Sequence, residues 1–137
     1  MLPSVQQSAF EKDCVPSLDD VVAAIKTLRL TRVGLSEAEI HNRAATIFFE
    51  RNITVEHEFQ VAPGCRLDFW VPASGIAVEF KKSRPSKASV VAQLSRYAAL
   101  PEVRALVLVL ECSMVLSREI AGKPLRVVSL NANWGIC

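Results

Sequence analysis

The sequence lacks the features of membrane-spanning and of cysteine-stabilised proteins. It has no apolar run approaching the length of about 20 residues that a transmembrane helix needs. The N-terminus lacks the basic and then apolar order of a secretory signal. The four cysteines, Cys14, Cys65, Cys112 and Cys137, are scattered and form no Cys-x-x-Cys pair. We therefore expect an intracellular, cytoplasmic protein with reduced thiols and no membrane partner.

The chain also has little net charge. Its 16 basic and 14 acidic residues leave a formal charge of +2, so any argument for nucleic-acid binding depends on local clustering. Half of the 137 residues are hydrophobic and 22% are charged, which is typical of a globular chain with a buried core. The length fits one domain, predicted over residues 17–137 after a flexible leader over residues 1–16.

The stretch from Arg66 to Lys81 predicts a β-hairpin. Apolar and polar residues alternate on both sides of a Pro72-Ala73-Ser74-Gly75 turn. A turn centred between Ala73 and Ser74 places Asp68 opposite Glu79 and Phe69 opposite Val78. The apolar face of the hairpin would carry Leu67, Phe69, Val71, Ile76, Val78 and Phe80, and the other face Arg66, Asp68, Trp70, Ala77, Glu79 and Lys81.

The polar face of this hairpin contains an unfavourable pair of charges. Asp68 and Glu79 would have Cβ atoms about 5 Å apart, where like charges repel. Two ionised carboxylates at that separation need a proton or a cation between them, and a divalent metal ion meets this need. Lys81 lies two residues after Glu79 on the same face. Two carboxylates, a metal ion and an ammonium group can activate water against a phosphodiester.

Two helices are predicted before the hairpin. Ser17 has the pattern of a helix N-cap, and Ser36 with Glu39 forms a Ser-x-x-Glu capping box that opens a helix over Glu37–Arg51. The capping box gives Glu39 a structural role. Glu37 instead shares the inward stripe of the helix, so a site role and a helix-dipole role are both open for it.

The remaining segments predict an alternation of strands and helices. Thr54–Val61 alternates as a half-buried strand, and a helix follows the hairpin from about Ala88 to Leu100. The apolar run Val103–Leu110 predicts a central strand parallel to its neighbour. We expect a short helix over Ser113–Ala121 and an edge strand over Leu125–Leu130.

Neither histidine is predicted to be a ligand. His41 falls on the predicted helix before the hairpin, and we expect it at the helix surface. His57 falls on the alternating strand, where a residue on the strand face is the expectation. No second histidine or cysteine stands at ligand spacing beside either one in the sequence.

This combination resembles the PD-(D/E)XK nuclease superfamily. Asp68, an eleven-residue step to Glu79, and then Phe80-Lys81 resemble its Asp…Glu-x-Lys signature. Pro63 is not adjacent to Asp68, so the literal Pro-Asp dipeptide is missing. Gln93-Leu-Ser-Arg-Tyr97 resembles the Gln-x-x-x-Tyr motif of the RecB-like branch. The resemblance implies an α/β fold with a restriction-endonuclease-like αβββαβ core over about residues 36–111, in which helices flank a central mixed β-sheet.

The resemblance also implies a role for each matching residue. Asp68 and Glu79 would bind Mg²⁺ or Mn²⁺ with the backbone carbonyl of Phe80, and Lys81 would position the attacking water and stabilise charge on the phosphate. Glu37 would bind a metal-bound water or a second metal ion, with Glu39 and Glu58 as alternatives for this third acid. The predicted contacts to nucleic acid are Arg66, Lys82, Arg84, Lys87, Gln93 and Tyr97. For Gln93 and Tyr97 the alternative is that they orient Lys81.

The implied activity is that of a Mg²⁺-dependent deoxyribonuclease, a hydrolase of phosphodiester bonds in DNA repair or recombination. The chain has no recognisable module for reading DNA sequence, so we expect it to act on DNA structure or ends, and a homodimer would place two sites on a branched substrate. The sequence leaves open whether cleavage is endo- or exonucleolytic and whether the substrate is DNA or RNA. Trp70 either stacks on a base or packs against the first core helix.

The alternative is a module of the same fold that binds nucleic acid or protein without turnover. Asp68, Glu79 and Lys81 are all present, which favours the enzyme.

Overall fold

The described residues form an α/β fold with a six-stranded mixed sheet. The structure, a computed structural model, describes residues 15–28, 35–82 and 84–130, so residues 1–14 of the predicted leader lie outside it. No helix within these ranges is long and apolar enough to cross a membrane. In chain order the elements are α1 (Leu18–Lys26), α2 (Glu37–Glu50), β1 (Glu56–Ala62), β2 (Cys65–Val71), β3 (Ile76–Lys81), α3 (Lys87–Ala98), β4 (Ala105–Leu110), β5 (Glu119–Ile120) and β6 (Lys123–Ser129).

Reciprocal capping boxes start both N-terminal helices. The Ser17 hydroxyl accepts from the backbone N–H of Asp20, and the Asp20 carboxylate accepts from that of Ser17. Ser36 and Glu39 form the same pair at the start of α2, at 3.1 and 2.9 Å. Each box satisfies two backbone donors that the first helical turn leaves free. Both predicted helix starts are confirmed, and Glu39 is used in capping α2.

The sheet order β1-β2-β3-β4-β6-β5 places β3 and β4 at the centre. β1, β2 and β3 form an antiparallel meander, and β3 then pairs in parallel with β4 from Ile76–Ala105 to Lys81–Leu110. Helix α3 makes the crossover between these two parallel strands. The predicted order of helix, three strands, helix and strand is confirmed from α2 to β4, and it places Glu79 and Lys81 inside the sheet.

Two hydrophobic clusters cover the two faces of the sheet. Helices α1 and α2 pack on one face, where residues such as Ile40 and Phe48 meet Val78. Helix α3 packs on the other face through Val90 and Leu94. Every residue of β4 is buried, because the strand is covered from both sides. This agrees with the prediction from its unbroken apolar run.

The C-terminal part differs from the prediction. No helix forms over Ser113–Ala121, all of which the structure describes. Instead β5 pairs antiparallel with the first residues of β6 through a two-residue turn, in which Ala121 and Gly122 have φ of +49° and +78°. Two consecutive positive φ values match the twist of a tight hairpin and are incompatible with a helix. Strand β6 therefore lies between β4 and β5 and is not the outermost strand.

The cysteines also differ in part from the prediction. Cys65 is a half-buried free thiol, as expected. Cys112 is disulfide-bonded, so the expectation of reduced thiols is wrong for this residue. The scattered spacing that excluded a metal-binding Cys-x-x-Cys motif carries no information on pairing between distant segments.

The β2–β3 turn generates a stability prediction. Gly75 has φ of +68°, and a Cβ there would lie 2.8 Å from the carbonyl oxygen of Glu102. Gly64 has a similar φ of +74° but, among the described residues, no atom within 4 Å of such a Cβ. We expect Gly64→Ala to lower the free energy of unfolding by about 1–2 kcal/mol through backbone strain. Gly75→Ala should lower it by about 1–3 kcal/mol more through crowding. Urea unfolding of both variants measures the difference, and equal losses would contradict the crowding.

Candidate active site

The candidate site is a fork where β2 and β3 separate. The two strands pair at Val71–Ile76, Trp70–Ala77 and Phe69–Val78, which confirms the predicted register. Asp68 and Glu79 would be the next pair. There, side chains replace the backbone ladder: the Asp68 N–H donates to Glu79 Oε1 (3.3 Å) and the Phe80 N–H donates to Asp68 Oδ2 (2.7 Å). Both carboxylates therefore lie in the gap between the strands.

A break in β1 lies next to this fork. Strands β1 and β2 pair at His57–Phe69 and Phe59–Leu67 but skip Glu58 and Asp68, both of which the structure describes. Glu58 has φ of +52°, outside the β region, so the alternation of faces shifts there.

As a consequence, Leu67 packs in the α3-side cluster and Phe69 in the α2-side cluster. The prediction that both residues share one face is wrong. The same shift places Phe59 with Leu67 on the α3 side, whereas the His57 ring stacks on Phe69. Strict alternation along the sequence does not anticipate a residue with positive φ in a strand.

Glu79 is a buried acid in an unfavourable setting. It is 6% exposed, and burial together with the Asp68 charge raises its pKa to about 7. Lys81 Nζ lies 3.7 Å from Glu79 Oε2 and partly offsets this effect. Burial also raises the pKa of Asp68, against the opposing influences of the Phe80 N–H and of His41. Two carboxylates that resist ionising side by side would gain from a cation.

His41 is the site residue that the sequence argument missed. It is 4% exposed, not at the helix surface as predicted, and its ring packs against Phe69 and Phe80. Its Nε2 atom is buried without a hydrogen-bond partner in the described part of the chain. That atom lies 3.9 Å from Glu37 Oε1 and 3.9 Å from Asp68 Oδ2. The ligand atoms of these three residues all lie within 4.8 Å of one another.

The helical spacing of Glu37 and His41 was the available signal for this cluster. Residues i and i+4 share a helix face, so the predicted α2 already placed them together. The helical spacing also predicted Glu37 on the inward stripe, and this is wrong, because its side chain is 67% exposed. Glu37 instead lies at the rim of an open pocket of about 320 Å³, lined by Glu37, Ala38, His41, Glu58, Arg66 and Asp68.

The four predicted basic residues are exposed at the surface. Lys82 and Arg84 are exposed between β3 and α3, and Lys87 is exposed at the first position of α3. Arg66 forms an ion pair with Glu58 beside the open pocket. This ion pair occupies Glu58, one of the three candidates for the third acid.

The Gln-x-x-x-Tyr residues support the β2 backbone. Gln93 Nε2 donates to the Tyr97 hydroxyl (2.9 Å), which donates to the carbonyl of Arg66 (3.1 Å). Burial, with a further contribution from the Glu79 charge, raises the pKa of Tyr97, so its hydroxyl stays protonated as a donor. Tyr97 is buried, which places it beneath the strand and away from the surface where the prediction expected nucleic acid.

Trp70 fits neither of its predicted settings. It is buried in the α3-side cluster and stacks on Phe59 with ring centroids 6.1 Å apart. The ring therefore packs away from α2 and is not available to stack on a base.

Comparison with family models, with curated proteins and with solved structures finds no match to this chain.

Burial of Glu79 predicts a pH dependence of stability in the metal-free protein. The folded-state pKa of about 7 exceeds the ordinary value of 4.5, so folding disfavours the ionised form. In EDTA, the free energy of unfolding should fall as pH rises from 4.5 through 7, by an amount on the order of 3 kcal/mol. The raised pKa of Asp68 acts in the same direction. Urea unfolding across this range should show a smaller fall for Glu79→Gln, and equal pH profiles would contradict the assignment.

The Tyr97 hydroxyl predicts a second change in stability. Tyr97→Phe removes the donor to the Arg66 carbonyl and the acceptor for Gln93, so it should lower the free energy of unfolding by about 1–2 kcal/mol. Gln93→Ala keeps the bond to Arg66 and serves as the matched variant with the smaller loss. Chemical denaturation compares the two, and a larger loss for Gln93→Ala would count against this role of Tyr97.

Proposed function

We propose that this protein is a metal-dependent nuclease of the PD-(D/E)XK type, which hydrolyses phosphodiester bonds in DNA with a structure- or end-directed preference. The observation that supports this most is the fork. Asp68 and Glu79 share the gap between β2 and β3, and Lys81 Nζ lies 3.7 Å from Glu79. A structural role alone does not account for a buried acid, a half-buried acid and a lysine at the point where two central strands separate.

The residues present fit a divalent cation. The unpartnered Nε2 of His41 faces two carboxylates, and Glu79 is an acid whose ionisation burial opposes. Asp68, His41 and Glu37 have ligand atoms within 4.8 Å of one another and are the side chains that would hold the ion. Glu79 is outside this group and would contribute from beside Asp68. Carboxylates suit Mg²⁺ and Mn²⁺, whereas an imidazole nitrogen is a ligand for transition-metal ions. Of the two predicted ions, Mn²⁺ is therefore the better match to a site that contains His41. A bound cation would supply Lewis-acid polarisation of the phosphate and a more acidic water.

Lys81 is the candidate for the group that acts on the attacking water and the phosphate. Its side chain is 28% exposed, so the ammonium group reaches solvent from the central strand. Glu79 holds one side of it, which leaves donors for a phosphate oxygen or for water. A positive charge fixed beside the scissile phosphate stabilises the charge that develops in the transition state.

The exposed cations would bind the phosphates that flank the scissile bond. Lys82 follows Lys81 directly, and Arg84 and Lys87 come shortly after it in the chain, all three exposed. They would form a basic edge next to the site. Arg66 would exchange its ion pair with Glu58 for a phosphate, which offers a bidentate acceptor. Such contacts position the backbone without reading sequence, which agrees with a structure- or end-directed activity.

Gln93 and Tyr97 have a positioning role in this proposal. The hydroxyl of Tyr97 holds the Arg66 carbonyl, two residues before Asp68. The pair would thus fix the position of Asp68 in the fork, and it would not contact nucleic acid as the sequence suggested.

Cleavage assays test the proposal. Purified protein is incubated with labelled linear, single-stranded, flapped and four-way DNA and with RNA of the same sequences, in Mg²⁺, Mn²⁺ or EDTA. We expect cleavage of DNA that requires metal and that falls by about 100-fold or more in Lys81→Met and Asp68→Asn. Lys81→Met should retain nucleic-acid binding. Glu102→Gln is the matched control, since this exposed acid lies beside Gly75 at the opposite end of the hairpin.

The outcomes separate the proposal from its alternative. Binding without cleavage of any substrate in either metal would favour a module that binds nucleic acid without turnover. Cleavage that persists in Asp68→Asn or in EDTA would show that the fork is not the active site. Neither binding nor cleavage would overturn both.

A further inference from the structure

A second histidine contacts the buried one at the site. His57 pairs with Phe69 in the β1–β2 register and stacks on its ring, with centroids 4.8 Å apart and planes 26° from parallel. Its Nε2 atom lies 2.8 Å from Nδ1 of His41. The His57 side chain is 42% exposed, whereas that of His41 is 5% exposed. A hydrogen bond therefore links a buried imidazole to one at the surface.

The two nitrogens of His41 have different surroundings. Nδ1 has the hydrogen bond to His57. Nε2 has no hydrogen-bond partner among the described residues and faces oxygens of Glu37 and Asp68 at 3.9 Å. At that distance a proton on Nε2 would not make a good hydrogen bond to either carboxylate. These surroundings favour an unprotonated Nε2, whose lone pair can bind a cation that lies between it and the carboxylates.

We propose that His57 is a positioning residue that holds His41 as the tautomer and in the orientation needed to bind the cation. The inference rests on the proposed function, because it assigns His41 Nε2 to the metal ion. A neutral imidazole carries one N–H, so an Nε2 lone pair requires the proton on Nδ1. His57 Nε2 accepts that proton in a hydrogen bond, and His57 then carries its own proton on Nδ1.

A hydrogen-bonded partner of this kind has a known physical effect on a metal-binding histidine. The partner fixes the ring orientation and makes the ligating nitrogen more basic. A carboxylate or a backbone carbonyl usually fills this position. Here the carboxylate of Glu58 forms an ion pair with Arg66 through Oε1, and its Oε2 lies 3.7 Å from His57 Nε2, beyond hydrogen-bond distance. The imidazole of His57, at 2.8 Å, takes the position next to His41.

The location of His57 explains how β1 supplies this contact. At Glu58 the side chains of β1 stop alternating regularly between the two faces of the sheet. His57 therefore lies on the α2 side, while Phe59 packs on the α3 side. Stacking on buried Phe69 holds the His57 ring edge-on to His41, with an interplanar angle of 81°. This edge-on geometry directs a ring nitrogen of one histidine at a ring nitrogen of the other.

Two substitutions at one position separate the hydrogen bond from packing. His57→Phe keeps an aromatic ring on Phe69 but removes the acceptor. His57→Gln loses the stack but keeps an amide oxygen that can accept from His41 Nδ1. Glu56→Gln, an exposed acid on the same strand, is the matched control. Mn²⁺ affinity is measured for every variant, and Mg²⁺ affinity for the wild type, by titration calorimetry without nucleic acid. Thermal unfolding in EDTA checks that each variant is folded.

We expect wild type and Glu56→Gln to bind Mn²⁺ with the same affinity. His57→Phe should bind it about 10- to 100-fold more weakly, and His57→Gln should recover most of that loss. Nitrogen-15 spectra with Zn²⁺ give a readout that packing alone does not change: His41 should carry its proton on Nδ1 in the wild type. In His57→Phe this single tautomer should be lost.

Each result has a distinct meaning. Equal Mn²⁺ affinity in the wild type and in a folded His57→Phe overturns the role of His57 and leaves the proposed nuclease site standing. Equally weak binding by His57→Gln and His57→Phe shows that the hydrogen bond is not what matters and also overturns it. A wild type that binds neither Mn²⁺ nor Mg²⁺ overturns the proposed function itself, and the role of His57 with it.

Discussion

The hydrogen bond from the Phe80 N–H to the Asp68 carboxylate is the contact on which the rest of the site depends. It occupies the place of a ladder bond at the point where β2 and β3 separate. Glu79 makes the complementary bond to the backbone of Asp68. Because the side chains complete the pairing, the strands can diverge without leaving those two backbone donors unsatisfied. The carboxylates are thereby held inside the sheet and not at its surface.

Burial of these acids links stability to function. An acid inside a central sheet loses solvation, and a second acid beside it makes ionisation still less favourable. The rest of the fold tolerates this cost, since both faces of the sheet are covered by continuous hydrophobic clusters. Ionising both acids in this site is unfavourable, and a bound cation would remove that penalty. This is the physical basis for the proposed metal-dependent chemistry.

The break in β1 gives the site its histidines. A regular strand would place His57 and Phe59 on the same face, whereas the positive φ of Glu58 separates them. His57 then meets His41 from α2, and the buried Nε2 of His41 faces the carboxylates. The positive φ of Glu58 thus brings β1 into contact with α2 at His41, which in turn faces the fork at Asp68.

The sequence by itself determined the helices and strands from α1 to β4 and the register of the hairpin, but not the β5–β6 hairpin that replaces a predicted helix. Capping boxes, an unbroken apolar strand and the alternation around the Pro72–Gly75 turn are local signals, and local hydrogen bonds or burial enforce them. Only the tertiary structure decided the burial of His41, its contact with His57 and the placement of Leu67. These depend on a positive φ within a strand and on how α2 packs across the sheet. No periodic pattern in the sequence predicts either feature, because contacts between residues distant in sequence are set by the packing of whole elements.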